Sequence, residues 1–246
     1  MNDNTSSGLT RLKPGDAASQ ARLQHIFRYA QVGRCVNGVA HDINNHLGAA
    51  MAYAELALMD AALTEDAQEQ MENIIKAVDK CGKLVSTLTG IARPLVNNNN
   101  MIDVNCVIRG ALMLRDYAFR AARIEVTTEL APNLPSPEAD GPRLHLALLY
   151  ILLNMEEHFH ETQTQGGISI RSYHDGDGVY IEVKNSGGPV PEAARAPMFE
   201  PFTTSKEECN MGMGLFLARQ MMQEQNGDLS YDPEHGFVLK IPVAGV

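Results

Sequence analysis

Apolar residues recur three and four apart from Val36 through Ala40, Ile43, Leu47, Met51 and Ala54 to Leu58. That stripe predicts a long amphipathic helix beginning near Ala18. A second stripe, Ala67, Met71, Ile74, Val78, Cys81, Val85 and Leu88, keeps a heptad-like repeat until Pro94 stops it. The break between them falls at Leu63 and Thr64, and Thr64 before Glu65 and Asp66 is an N-cap with acids against the helix dipole. Two helices joined by so short a turn form a hairpin whose apolar seams are too extensive to cover each other. Pairing with a second copy into a four-helix bundle is the expected remedy.

The pattern changes after Pro94. Residues 96–102, with the run Asn97 to Asn100, read as a linker. Helices then alternate with strands: a helix from Val104 to about Ala122, a strand through Ile124, Val126 and Thr128, and an apolar helix from Leu144 to Phe159. Ile168 and Ile170, then Val179, Ile181 and Val183, alternate on either side of Asp175-Gly176-Asp177-Gly178, a hairpin signal. An irregular stretch from Ser186 to Met211, a helix from about Gly212 to Gln225, and strands near Leu229 to Tyr231 and Phe237 to Val243 complete the chain. The expected fold is α+β. A flexible polar tail (1–17) precedes a helical hairpin (18–95) that forms a dimeric four-helix bundle, and an α/β sandwich domain (103–246) follows.

Composition narrows the function. The 246 residues are 44% hydrophobic, enough for one large or two small domains. A net charge of -10 gives no electrostatic footprint for nucleic acid, and with no tryptophan and 6% aromatics base-stacking platforms are disfavoured. No window approaches the ~18 apolar residues of a membrane span, and the N-terminus has no export signal. Cys35, Cys81, Cys106 and Cys209 are scattered without a C-x-x-C pair, so a reduced, cytoplasmic chain without membrane contact is expected. The partner is a protein or a small ligand.

Four constellations carry chemistry. In His41-Asp42-Ile43-Asn44-Asn45-His46-Leu47, His41 lies outside the apolar stripe with Asn45 one turn on, on the same face. A neutral imidazole is a competent nucleophile towards phosphorus, and the adjacent carboxylate can orient it or take its proton. An ordinary surface histidine would look the same. In Leu148 to Glu157, Asn154 is a single amide in an apolar run and could offer oxygen to a hard cation such as Mg²⁺; a helix whose polar end reaches solvent would also fit. A strand runs into Asn185-Ser186-Gly187-Gly188-Pro189, where glycine lets a flat ring approach the backbone or simply makes a turn. Met198 to Lys206 leads to Met211-Gly212-Met213-Gly214-Leu215 at a helix start, a phosphate cradle of backbone N–H groups.

Taken together and in this order, the four stretches resemble the core of a two-component sensor histidine kinase, from about residue 20 to the end. His41 to Leu47 resembles the phosphoacceptor box and Leu148 to Glu157 the asparagine box. Lys184 to Pro191 resembles the first glycine box, Met198 to Lys206 the phenylalanine box and Gly212 to Leu215 the second glycine box. The resemblance implies a homodimer that autophosphorylates His41 from Mg²⁺-ATP, with Asp42 assisting the proton, and then passes the phosphoryl group to an aspartate of a response regulator receiver domain. It implies Asn154 on the metal, Asn185 facing the adenine, Gly187 beside the base, Thr204 and Lys206 on a lid, and Gly212 and Gly214 at the phosphates. Asp42 with Asn45 resembles the acid and amide pair that orients water when such bundles dephosphorylate their partner.

The sequence also departs from that pattern. Asn185 stands where the family has aspartate, so the adenine amino group would meet an acceptor without charge assistance. Pro189 replaces a glycine, Tyr150 an additional asparagine and His46 the usual proline or other neutral residue, and Glu156, Glu157 and His158 make the asparagine box more polar. The alternative these departures raise is a kinase-like phosphotransfer or scaffold protein whose degenerate site does not bind ATP.

Overall fold

The structure is a computed structural model, and it describes residues 17–60, 62–92, 99–162, 165–201, 203 and 212–243. Apart from Ala17 the expected tail lies outside the described residues, as do Thr204 and Lys206, which the resemblance implies on a lid. The chain divides into two compact units on either side of Pro94 and Leu95.

The first unit is a pair of helices, α1 (Ala17–Leu58) and α2 (Glu65–Ala92), packed along each other. The turn is built as its sequence indicates. Thr64 Oγ1 accepts the Ala67 N–H at 3.3 Å at the start of α2, and Asp60 Oδ1 accepts the Ala62 N–H at 2.9 Å. The apolar residues of each helix, including Val39, Tyr53 and Ile75 outside the stripes read from sequence, divide into two sets. On α1, Ala40 and Ala54 are buried and Val36, Leu47, Met51 and Leu58 half-buried, whereas Val39, Ile43 and Tyr53 are exposed. On α2, Ala67, Met71, Ile75, Val78 and Val85 are half-buried, whereas Ile74, Cys81 and Leu88, spaced by seven, are exposed. Each helix therefore uses one seam within the hairpin and carries a second apolar seam outward.

The second unit is a five-stranded sheet with helices on one face. Its strands are β2 (Glu125–Leu130), β4 (Gly167–Asp175), β5 (Gly178–Asn185), β6 (Asp228–Asp232) and β7 (Gly236–Pro242). Their order across the sheet is β2-β4-β5-β7-β6; β2 runs parallel to β4, and the remaining neighbours are antiparallel. Alternation sends Ile168, Ile170, Val179, Ile181, Val183, Leu229, Leu239 and Ile241 into the core beneath α3 (Val104–Ala121), α4 (Gly141–Thr162) and α6 (Gly214–Gln223). The opposite face is polar. There Tyr173 donates its hydroxyl to Glu182 at 2.9 Å, and burial together with that bond pushes the phenol up to about 12.

Part of the expected linker 96–102 is folded. Asn100 and Met101 form a two-residue strand, β1, antiparallel to β3 (Glu138–Ala139), and Ile102 packs against the core. A two-residue strand has no periodicity to read. Similarly, the stretch expected to be irregular after Ser186 contains a short α5 (Glu192–Arg195) and a 3-10 turn at Pro197–Phe199.

Helix α4 organises this unit. Asp140 caps it, accepting the Arg143 N–H at 3.0 Å, and donates its own N–H to Gln225 at 3.0 Å. Arg143 also pairs with Glu224 at 2.9 Å, so the start of α4 is tied to the end of α6. Arg115 of α3 pairs with Glu156 of α4. Leu144, Leu148, Ile151, Leu152, Met155 and Phe159 fill the core, and the remaining strip, from Leu149 and Tyr150 through Leu153 and Asn154 to Glu157 and His158, is only half-buried.

His145, buried on α4, has its imidazole held down to about 4 by desolvation, from an ordinary 6.5. Its folded pKa is depressed, so the unfolded chain binds the extra proton. Stability is complete above pH 6.5 and falls as the pH drops towards 4. Urea denaturation at a series of pH values should give that slope, and His145→Gln should flatten it. Gly236 sits at φ +82° in the β6–β7 turn, where a Cβ would lie 2.5 Å from the Val183 carbonyl oxygen. Gly236→Ala should cost roughly 1–3 kcal/mol in the same measurement.

Candidate functional site

The helical unit presents His41 to solvent. Its side chain is 75% exposed, and Asp42 beside it is 79% exposed. Asp42 Oδ1 lies 3.5 Å from His41 Nδ1, and the Asn45 amide nitrogen lies 3.2 Å from the same atom, one helical turn on. An Nδ1–H directed at Asp42 leaves the Nε2 lone pair facing outward. The Asn45 amide can serve Nδ1 in either tautomer, accepting through its oxygen or donating through its nitrogen. His46, five residues on and about 140° round the helix, belongs instead to the outward seam of Val39, Ile43 and Tyr53.

The second constellation lies in the α/β unit, along the half-buried strip of α4. Tyr150, Asn154 and His158 follow one another at intervals of four, so their side chains form a row. Among the described residues, none of the three side chains has a hydrogen-bond partner. Each end of the row has a landmark. At one end the Tyr150 ring approaches Gly214, with Cδ1 3.5 Å from where a Cβ there would lie. At the other end His158 Nε2 is 3.0 Å from the corresponding point on Gly187, and Asn185 Oδ1 is 3.6 Å from it. Eight residues of helix separate the two ends by about 12 Å.

Local structure explains both landmarks. Strand β5 ends at Asn185. Ser186 then pins the turn to the neighbouring strand, donating its N–H to the Gly167 carbonyl at 2.9 Å and accepting the Gly167 N–H on Oγ at 2.8 Å. A side chain at Gly187 would press on His158, so glycine keeps this corner open. At the other end Gly212 adopts φ +64° and packs so closely on the Thr203 backbone that no Cβ would fit. Helix α6 then starts at Gly214 with no side-chain cap from Met213, and its first intrahelical bond is donated by Leu217 at 2.9 Å. The earlier N–H groups of the turn, on Gly214, Leu215 and Phe216, remain for an anion.

Asn154, Asn185, Gly187, Gly212 and Gly214 thus belong to one unit, and His41, Asp42 and Asn45 to the other. Sequence reading treated Tyr150 and His158 only as departures from a pattern. Their spacing of four from Asn154 on either side was the signal that all three share one face. Among the described residues there is no group of three His, Cys, Asp or Glu able to hold a metal ion. A divalent cation would therefore depend on the Asn154 amide oxygen and on ligand oxygens. An amide without a protein partner, one helical turn from the Tyr150 ring that lies on Gly214 at the uncapped start of α6, suits that arrangement. No helix among the described residues is long and apolar enough to cross a membrane.

Known proteins share this organisation. Residues 31–94 match the His Kinase A (phospho-acceptor) domain, and residues 139–244 match the histidine kinase-, DNA gyrase B- and HSP90-like ATPase domain. The signal transduction histidine-protein kinase AtoS of Escherichia coli (strain K12) is 26% identical over 230 residues, covering 92% of this chain and 37% of AtoS. The chain spans between 35% and 48% of the length of the first curated relatives it matches. The solved catalytic domain of the histidine kinase ThkA is 28% identical, with a TM-score of 0.51 over 59% of this chain and 95% of that one. The structure of ThkA in complex with the response regulator protein TrrA shares the fold, at 23% identity and a TM-score of 0.50, over 92% of this chain and 66% of that one. The chain thus carries a phospho-acceptor helical hairpin followed by an ATPase domain of the histidine kinase type, the two-domain core that it shares with sensor histidine kinases.

Proposed function

We propose that the chain is an ATP-dependent protein-histidine kinase that phosphorylates its own His41 and passes the phosphoryl group to an aspartate on a response regulator receiver domain. The observation that carries this reading is the exposed His41 imidazole with the Asp42 carboxylate at Nδ1. Its Nε2 lone pair forms the bond to the γ-phosphorus as the bond from that phosphorus to its bridging oxygen breaks, and ADP departs. The ring becomes cationic as Nε2 bonds, and Asp42 offsets that charge by drawing the Nδ1 proton towards itself. In the second step the phosphorus–nitrogen bond breaks as a carboxylate oxygen of the receiver attacks, and the neutral imidazole is restored. Asp42 and Asn45, both exposed, are also suited to orient water for dephosphorylating that partner.

ATP is held along the α4 row, with the base at Gly187, Asn185 and His158 and the phosphates at Gly214 and the start of α6. The separation of about 12 Å suits a nucleotide laid lengthwise. Asn185 accepts from the adenine amino group, Gly212 shapes the phosphate end, and Thr204 and Lys206 are assigned to the lid. Asn154 offers its amide oxygen to Mg²⁺, which neutralises charge on the phosphates during transfer. The outward seams, Val39, Ile43 and Tyr53 on α1 and Ile74, Cys81 and Leu88 on α2, support a homodimer of the hairpin. The ThkA–TrrA complex supports a response regulator as partner. Exposed Cys35, Cys81 and Cys106 suit the reducing cytoplasm.

Incubation with γ-labelled ATP and Mg²⁺ should give acid-labile label on the wild type and none on His41→Gln; equal label on both would refute the assignment. Asp42→Asn should slow labelling by on the order of 10²-fold. Asn154→Ala should remove the Mg²⁺-dependence of nucleotide binding measured by calorimetry. Silence of the wild type at millimolar nucleotide would instead favour the scaffold reading. Sedimentation at micromolar concentration should give a dimer, and a double substitution Ile74→Asp with Leu88→Asp should give a monomer.

A further inference from the structure

We infer that Tyr150 is a specificity-determining residue for the triphosphate, its phenol hydroxyl donating a hydrogen bond to the terminal phosphate. This rests on the nucleotide reading above and deepens it. Three observations converge. Tyr150 stands one turn before Asn154 on the half-buried strip of α4, in the row that ends at His158. Its ring lies against Gly214, where α6 begins without a side-chain cap, so it borders the phosphate cradle at the end of the row farthest from Gly187 and the base. Among the described residues its hydroxyl has no hydrogen-bond partner, and it is not one of the buried polar atoms closed off without one, so the O–H is open to a ligand.

Charge chemistry fits the same assignment. Desolvation raises the phenol above its ordinary value, so it stays protonated and able to donate throughout the physiological range. A neutral donor beside polyanionic oxygens makes a charge-assisted bond without requiring a second cation. The position has a distinctive consequence for selectivity. A group at the far end of the row meets ATP but falls short of ADP, whereas the base and the inner phosphates are gripped alike in both.

Tyr150→Phe is the informative variant, since it keeps the ring against Gly214 and removes only the hydroxyl. Calorimetric titration of the full chain with Mg²⁺-ATP and with Mg²⁺-ADP should give ATP binding about tenfold weaker than the wild type, the usual loss for one hydrogen bond to a charged group, with ADP binding changed less than twofold. Unchanged ATP affinity would overturn the inference, leaving Tyr150 a packing residue. So would an equal loss for both nucleotides. Thermal unfolding of the nucleotide-free variant should match the wild type, which separates lost recognition from a loosened α6. Failure of the wild type to bind either nucleotide would instead strike at the ATP reading itself, a result distinct from any of these.

Discussion

The ATPase unit depends on α4 being packed on every side but one. Its core side chains supply the apolar surface that the sheet needs, and three polar ties, Asp140 to Gln225, Arg143 to Glu224 and Arg115 to Glu156, fix how far it can slide or turn. A helix held this firmly can afford one unsatisfied face. Tyr150, Asn154 and His158 are left half-buried as a row because Ile151, Leu152 and Met155 between them are committed to the core. The spacing of the site is therefore inherited from helix geometry rather than from loop conformation.

Glycine plays the complementary part at the two ends. Gly187 and Gly212 are required for opposite reasons: the first keeps a corner clear above His158, and the second lets the backbone pass against Thr203 in a conformation that other residues resist. The first keeps space open and the second closes it. Neither role follows from the local patterns in which they occur, since Gly-Gly-Pro and Gly-x-Gly also make plain turns.

Long periodic elements were legible in the sequence, and so was the grouping of His41, Asp42 and Asn45 on one exposed face. The boundaries of α1, α2 and α3 and the β4–β5 hairpin fall close to expectation because amphipathic period, capping residues and the Asp-Gly turn all point the same way. Elements too short for a period, β1, β3 and α5, were not. Nor did the heptad pattern reveal that the apolar residues of each hairpin helix serve two seams. Sequence spacing locates apolar residues around the helix but does not say which neighbour each will meet. Ile43 and Leu47 look alike in the pattern, yet one is exposed and the other half-buried. The meaning of Tyr150 and His158 likewise required knowing which strip of α4 the rest of the domain leaves uncovered.

The outward seams also bear on how the two units respond to dilution. On the homodimer reading proposed above, a second copy covering these seams makes the folding of the hairpin a bimolecular event, whereas the sheet and its three helices form a core within a single chain. The two halves then answer to different variables. Mass action shifts the helical unit towards dissociation as the protein is diluted and leaves the α/β unit unaffected. Cellular abundance thereby acts on the histidine-bearing half alone.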